Sequence, residues 1–353
     1  MNTLITAPAG PTQREPALPS PRGPVSTAVL GYLRDAAHPL PDPARIAAAD
    51  PLGDDLNLAL YACYELHYRG FADVPAAREW DPGLLRARGE LERLLLGELR
   101  ARATRRQGAR DALDELLVEP ADGGGVTHFL RDQGELWQLR EYAVHRSVYH
   151  LKEADPHAWV LPRLRGRAKA AMAAVEFDEY GGGRADRVHA RLFADLMADL
   201  GLDPAYGRYL DAASATALAL VNLMSLFGLH RSLRGALVGH FAAVETTSSP
   251  GSRRLAQALR RVGAGQRAVF FYDEHVEADA VHEQVVRHEV VDGLLEEEPE
   301  LDADVAFGVH ATVWLEDRFA DELLTAWRTG RSTLRERAAR TEGRTATRAG
   351  GAA

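Results

Sequence analysis

His275, Asp279 and His282 carry side chains that bind metal ions, and their spacing lets them act together. On a helix of 3.6 residues per turn, positions i, i+4 and i+7 share one narrow face. Two imidazoles and a carboxylate therefore line about 10 Å of helix axis. Nitrogen and oxygen donors in this mix suit iron, manganese or zinc better than calcium or magnesium. The neighbouring Asp273, Glu274, Glu277 and Glu283 would equally suit a solvated face with i,i+4 ion pairs. Val276, Ala280, Val281, Val285 and Val286 are interleaved among them, and Phe270-Phe271-Tyr272 leads in. So much apolar surface predicts a buried helix, where His and Asp need partners, and a metal is one such partner.

A helix-borne triad needs ligands from facing helices. Three upstream segments offer them. Glu176-Phe177-Asp178-Glu179-Tyr180 precedes a triple glycine whose bend could aim Glu179 inward, with Glu176 and Asp178 competing for the role. His189 stands among Val188, Leu192 and Phe193, a setting that also suits a hydrogen-bonded core histidine. Glu245 follows Leu237, Val238 and Phe241, where a carboxylate is costly unless paired or metal-bound; Thr246 to Pro250 reads as a helix end, which would instead expose it. Glu141 and His145 share an i,i+4 face and form an alternative first pair, although Arg146 beside them favours a surface position. Glu65 and His67, two residues apart, face different ways on a helix and read as packing plus polar surface.

The elements that must position these residues are helical almost throughout. Apolar residues recur at i, i+3 and i+4 from Leu84 to Leu117 and again from Val126 to about Lys152. Another helix runs to about Tyr180, and Gly181-Gly182-Gly183 breaks it. Further helices are expected near 185–200, 206–228, 230–247, 252–262, 266–297 and 303–329. Strand-like alternation is scarce, so the class is all-α, with helices long enough for a bundle. Prolines crowd residues 1–25 and arginines crowd residues 330–353, which reads as a disordered lead and a disordered basic tail. The net charge of −9 argues against general nucleic-acid binding and against an anionic membrane surface. The single cysteine, Cys63, excludes an internal disulfide framework and fits a reducing cytoplasm. No stretch approaches the roughly 18 apolar residues of a membrane span, and the N-terminus lacks the signature of a signal peptide.

In chain order the candidates are Glu179, His189, Glu245, His275, Asp279 and His282, with intervals of 10, 56 and 30 residues up to His275. This set, with Glu179-Tyr180-Gly181-Gly182-Gly183 and Phe271-Tyr272-Asp273-Glu274-His275, resembles the haem-oxygenase-like diiron oxidases and oxygenases, the iron-containing redox enzymes. The resemblance covers roughly residues 125–330. It implies a haem-oxygenase-like helical bundle over 123–329, with additional N-terminal accessory helices over 26–122. It implies two iron ions held by those six side chains and dioxygen as cosubstrate, with Glu153 as a candidate for the additional Glu that some members carry, or else an acid near a helix end before Pro156. His275 and His282, two turns apart, would serve different irons, Asp279 would join His282, and Glu245 would bridge or chelate. Asp273, Thr246 and Tyr272 could support the ligands from behind. The implied chemistry is N-oxygenation, desaturation or C–C cleavage of a small molecule of the amine or amino-acid type. An external electron donor goes with it, and a homodimer is compatible with it. Arg184 and Arg191 could hold a substrate carboxylate or form surface ion pairs. The competing reading is a helical metal-binding or structural protein without catalysis.

Overall fold

The computed structural model describes residues 15–105, 107–118 and 123–335, and among them there is no strand. Five helices come first: α1 (Pro24–Arg34), α2 (Pro43–Ala47), α3 (Asp54–Glu65), α4 (Pro82–Arg102) and α5 (Ala109–Leu116). Ten follow: α6 (Val126–Asp132), α7 (Leu136–His150), α8 (Asp155–Ala158), α9 (Gly166–Glu179), α10 (His189–Asp199), α11 (Ala215–Leu229), α12 (Arg234–Arg261), α13 (Gln266–Val285), α14 (Asp292–Glu297) and α15 (Asp302–Trp327). One contiguous core runs from Leu30, Leu56 and Leu91 in the N-terminal helices to Leu218, Leu237 and Leu315. No helix among the described residues is long and apolar enough to cross a membrane.

The axis of the bundle is α12, packed along α13 on one side and α15 on the other. Its contact with α15 is made by missing side chains. A Cβ on Gly239 would collide with the Val305 carbonyl, and one on Gly308 with the Ala236 carbonyl. Glycine at both positions lets the two backbones touch, which larger residues would forbid. The α11 helix is buried all round, and Asn222 ties it to α3 by donating to the Asn57 carbonyl at 2.9 Å.

Several boundaries differ from the periodic reading, and the helix expected near 206–228 begins only at Ala215, where the Ser214 side chain caps it. The expected helix from Leu84 to Leu117 breaks into α4 and α5, because Asp302 caps the new start at the Ala109 N–H, 3.1 Å away. The expected run from Val126 to Lys152 breaks at Gln133–Gly134, where Arg261 binds the carbonyls of Leu130, Arg131 and Gly134 that end α6. The expected end at Thr246–Pro250 does not occur. The α12 helix continues through Pro250 as it packs along α13, and Ser249 Oγ donates to the Val276 carbonyl. After α13 the chain makes one π-helical turn, Val286–Val291, before α14.

The tails are better anchored than their composition suggests. Residues 1–14 and 336–353 lie outside the described residues, but the remainder of both segments is held. Pro16 and Pro19 are buried, the Pro16 carbonyl accepts from the Ala72 N–H, and Arg22 pairs with Asp54 at 2.9 Å. At the other end Ser332 and Thr333 both donate to Glu141, and Arg335 pairs with Asp54. The disorder expected over 1–25 and 330–353 therefore does not extend to 15–25 or 330–335.

Candidate metal centre

Five elements bring the centre together. Glu153 lies in the link between α7 and α8. Glu179 is the last residue of α9, and His189 is the first of α10. Glu245 comes from the middle of α12, while His275, Asp279 and His282 come from one face of α13. All seven are buried.

Two local devices set the register. Gly181, Gly182 and Gly183 all have positive φ, between 61° and 79°, and turn the chain from Glu179 back to His189. At Gly181 a Cβ would also strike the Arg187 backbone. Glycine is the residue that accepts this conformation without strain. The second device is Asp199, which ends α10 and caps the start of α13 by accepting from the N–H groups of Arg267 and Ala268 at 2.9 and 3.2 Å. His189 lies ten residues before Asp199, and His275 lies nine after Gln266. At about 1.5 Å per residue the two histidines come level on adjacent helices. Their ring centroids are 4.4 Å apart.

The ligand atoms form two groups. Atoms of Glu153, His189 and His275 lie within 4.8 Å of one another, as do atoms of Glu179, Asp279 and His282. Glu179 touches both: Oε2 is 2.8 Å from His189 Nδ1, and Oε1 is 3.6 Å from His282 Nδ1. Glu245 Oε2 joins the second group 3.4 Å from His282 Nδ1, with Asp279 Oδ1 at 3.7 Å.

Hydrogen bonds behind the ring orient the imidazoles. His275 donates from Nδ1 to the Phe271 carbonyl at 2.7 Å, which leaves the Nε2 lone pair facing Glu153. His282 donates from Nε2 to Asp178 Oδ2 at 3.3 Å, which turns Nδ1 towards Glu179, Glu245 and Asp279. His150 donates from Nδ1 to Glu153 at 2.9 Å. Such outer partners fix the tautomer and aim of metal-binding groups. Of the inward atoms, His275 Nε2 and both Asp279 oxygens make no well-formed hydrogen bond, and His189 Nδ1 and His282 Nδ1 meet only carboxylates. Buried polar atoms without partners are rare and need a cause. Lone pairs converging in this way fit a cation at their centre.

The electrostatics agree. Burial and the neighbouring Asp279 raise Glu245, and burial also raises Asp279. Burial pushes Glu176 up to about 9, assisted by Glu179, Glu245 and Asp155. Burial alone would lower His189 and His282, but Glu179 and Glu245 respectively draw them up to about 10 and about 9. The cluster thus retains protons at neutral pH that a cation would displace.

Glu179 is the acid of its segment that faces His189, whereas Asp178 supports His282 from outside and Glu176 is buried without partners. Glu141 and His145 are elsewhere. Both are buried, against the surface position expected beside Arg146, because Trp327, Ser332 and Thr333 bind Glu141 and Thr333 meets His145. Glu65 is no surface group either. It is fully buried, 2.8 Å from Lys152 Nζ and 2.6 Å from the Tyr206 hydroxyl. Asp273 points outward to Arg260, and Thr246 bonds the Ala242 carbonyl one turn back. Arg184 and Arg191 pair with Asp186 and Asp195 at the surface. His150 and Asp178 were not singled out as supports in the sequence. The i,i+3 spacing of His150 and Glu153 was the available signal.

A search of curated proteins returns no match. A family model described as an iron-containing redox enzyme matches residues 140–317, a span that includes all seven clustered side chains and the helices that carry them. The all-α architecture is that of the haem-oxygenase-like fold. On that match over half its length, the chain belongs to the iron-containing redox enzyme family.

Proposed function

We propose that the protein is a non-haem diiron oxidase or oxygenase that uses dioxygen to oxidise a small amine or amino-acid-type molecule. The observation that carries this reading is the pair of buried ligand groups sharing Glu179. Four carboxylates (Glu153, Glu179, Glu245 and Asp279) and three neutral imidazoles would be balanced in charge by two divalent cations. Haem needs one axial side chain and a broad apolar slot, which this carboxylate-rich interior does not resemble. When bound, the iron pair would supply redox chemistry with dioxygen, drawing on an external electron donor.

The chain itself supplies position and charge. His189 and His275 would hold one iron with Glu153. His282, Asp279 and Glu245 would hold the other, with Glu179 between them. His150, Asp178 and the Phe271 carbonyl keep these groups aimed while the apolar core excludes water. The amine class is supported by Glu176. Both its oxygens are buried and unpartnered beside the centre, and a substrate ammonium would give them a partner.

Anaerobic reconstitution with ferrous iron tests the reading. Two irons per chain are expected, with a large loss in His275→Ala and Glu245→Ala variants that keep their helical content. Protein that takes up no iron would instead support a helical binding protein of the same fold.

A further inference from the structure

Beside the ligands runs a line of buried side chains that none of the roles above uses. It begins at Tyr149 on α7, whose hydroxyl is 3.4 Å from His157 Nδ1 on α8. His157 Nε2 is 3.1 Å from His240 Nε2 on α12. His240 Nδ1 is 2.8 Å from the Thr312 hydroxyl on α15, and Thr312 is 2.7 Å from the Gly308 carbonyl. All four side chains are buried. The His240–Thr312 link exists because Gly239 and Gly308 let α12 and α15 touch.

The far end fixes the direction of the whole chain. A carbonyl can only accept, so Thr312 spends its one proton on Gly308. Thr312 must then accept from His240 Nδ1–H. A neutral His240 therefore presents a bare Nε2, which accepts from His157 Nε2–H. That leaves His157 Nδ1 bare to accept the Tyr149 proton. Both histidines are held neutral, since burial lowers His157 to about 4 and holds His240 well below the usual imidazole range. The phenol thus faces a free base at the head of a one-way row of donors.

Tyr149 also lies within electrostatic reach of the centre. After burial itself, the groups that act on its phenol are the carboxylates of Glu153, Glu179, Glu176 and Glu245. Its ring lies against that of His150, whose Nδ1 binds Glu153.

We propose that Tyr149 is a redox-active residue, giving one electron to the iron centre once dioxygen has oxidised it and giving its proton to His157. The proposal rests on the diiron reading. The Tyr149 O–H bond breaks, leaving a phenoxyl radical. An N–H bond forms at His157 Nδ1, and the iron centre is reduced by one electron. Passing the Nε2 proton on to His240 moves the positive charge one residue away and leaves His157 neutral in its other tautomer. Oxidising a phenol that keeps its proton would create an unpaired cation in a dry interior, which is costly. Here the positive charge goes to an imidazole, where burial opposes it but Glu179 and Glu153 offset part of that cost.

The test uses ferrous-loaded protein grown with ring-deuterated tyrosine, mixed with dioxygen without substrate, freeze-quenched and read by electron paramagnetic resonance. The expected result is a radical whose hyperfine pattern narrows on deuteration. It should be lost in Tyr149→Phe, a variant that removes one hydroxyl and should keep its iron stoichiometry and helical content. Iron that is oxidised with no tyrosine radical overturns the proposal and leaves the diiron reading standing, as does a radical that survives in Tyr149→Phe. Failure to bind iron overturns both. Nitrogen-15 spectra of the metal-free protein give a second check. His157 should be protonated at Nε2 and His240 at Nδ1, and the opposite tautomers would overturn the proposed direction.

Discussion

Lys152 and Glu65 offer the sharpest test of how the centre is supported. Both side chains are almost wholly buried, and Nζ lies 2.8 Å from Oε2. At an effective dielectric of about 20 the attraction is worth about 6 kcal/mol. Desolvation costs several kcal/mol per ion, so most of that attraction is offset. The ammonium is also 4.7 Å from the Tyr61 ring centroid and 4.3 Å from that of Tyr68. Removing one partner is a different matter, because the other charge stays buried. In Lys152→Met the Glu65 Oε1 atom would keep the Tyr206 hydroxyl, but Oε2 would lose the ammonium. The expected cost is about 3–5 kcal/mol, the usual figure for breaking a buried pair from one side. Methionine keeps the length of the side chain, so packing loss adds little. The double variant Lys152→Met, Glu65→Leu removes both charges and should recover most of the loss.

Denaturant unfolding of metal-free single and double variants measures these costs. Lys152 also adjoins Glu153, so the single variant should release iron more readily, and the double variant should regain it. A single variant costing under about 1 kcal/mol would refute the reasoning, since it would mean that water reaches the pair. A double variant as unstable as the single one would refute it too, since packing would then be the cause.

Three further outcomes follow. Gly181→Ala places a Cβ at φ 71° against the Arg187 backbone, and should cost about 1–2 kcal/mol or more and weaken metal retention through His189, as read by thermal unfolding with and without iron. In the metal-free protein His189 and His282 are drawn up to about 10 and about 9, so at neutral pH they are protonated; affinity for ferrous iron should rise with pH up to those values, and calorimetry in two buffers should detect proton release on binding, with no release counting against the cluster as ligands. Glu141→Gln should leave the iron stoichiometry unchanged while loosening residues 330–335, which hydrogen exchange would register; loss of iron would restore Glu141 and His145 as a metal pair.

The half of the candidate site that was legible is the half made by one helix. His275, Asp279 and His282 share a face because of the helical period, and that needs no knowledge of the rest of the chain. Glu179 and His189 stood out through residue type and spacing, but not through any visible contact. Their meeting depends on three consecutive residues at positive φ and on Asp199 capping a helix about 70 residues later. Pro250 misled for the opposite reason. Its local preference is to end a helix, and packing along α13 overrides it. Glu141 and His145 misled because their neighbour Arg146 is itself half-buried and paired with Glu316 at 2.6 Å, so an adjacent charge did not mark an open surface.

The role of the N-terminal helices was the least legible, and the ion pair begins to explain it. The family match starts at residue 140, yet α3, well before it, supplies Glu65. The partner, Lys152, is the residue before Glu153, and 87 residues separate the two charges. Arg69, just beyond α3, donates to the Leu151 carbonyl at 3.0 Å, and Tyr68 meets Ser225 on α11 at 3.0 Å. The segment from Leu151 to Asp155 is therefore gripped from the N-terminal side at Leu151 and Lys152, while Tyr180 binds Asp155 from the site side. A ligand in a link between helices needs such bracing, because no helical hydrogen-bond ladder holds it in place. The helices before residue 140 are thus part of the support for Glu153, and a chain cut back to the matched span would keep the α13 triad while leaving Lys152 without its counter-charge.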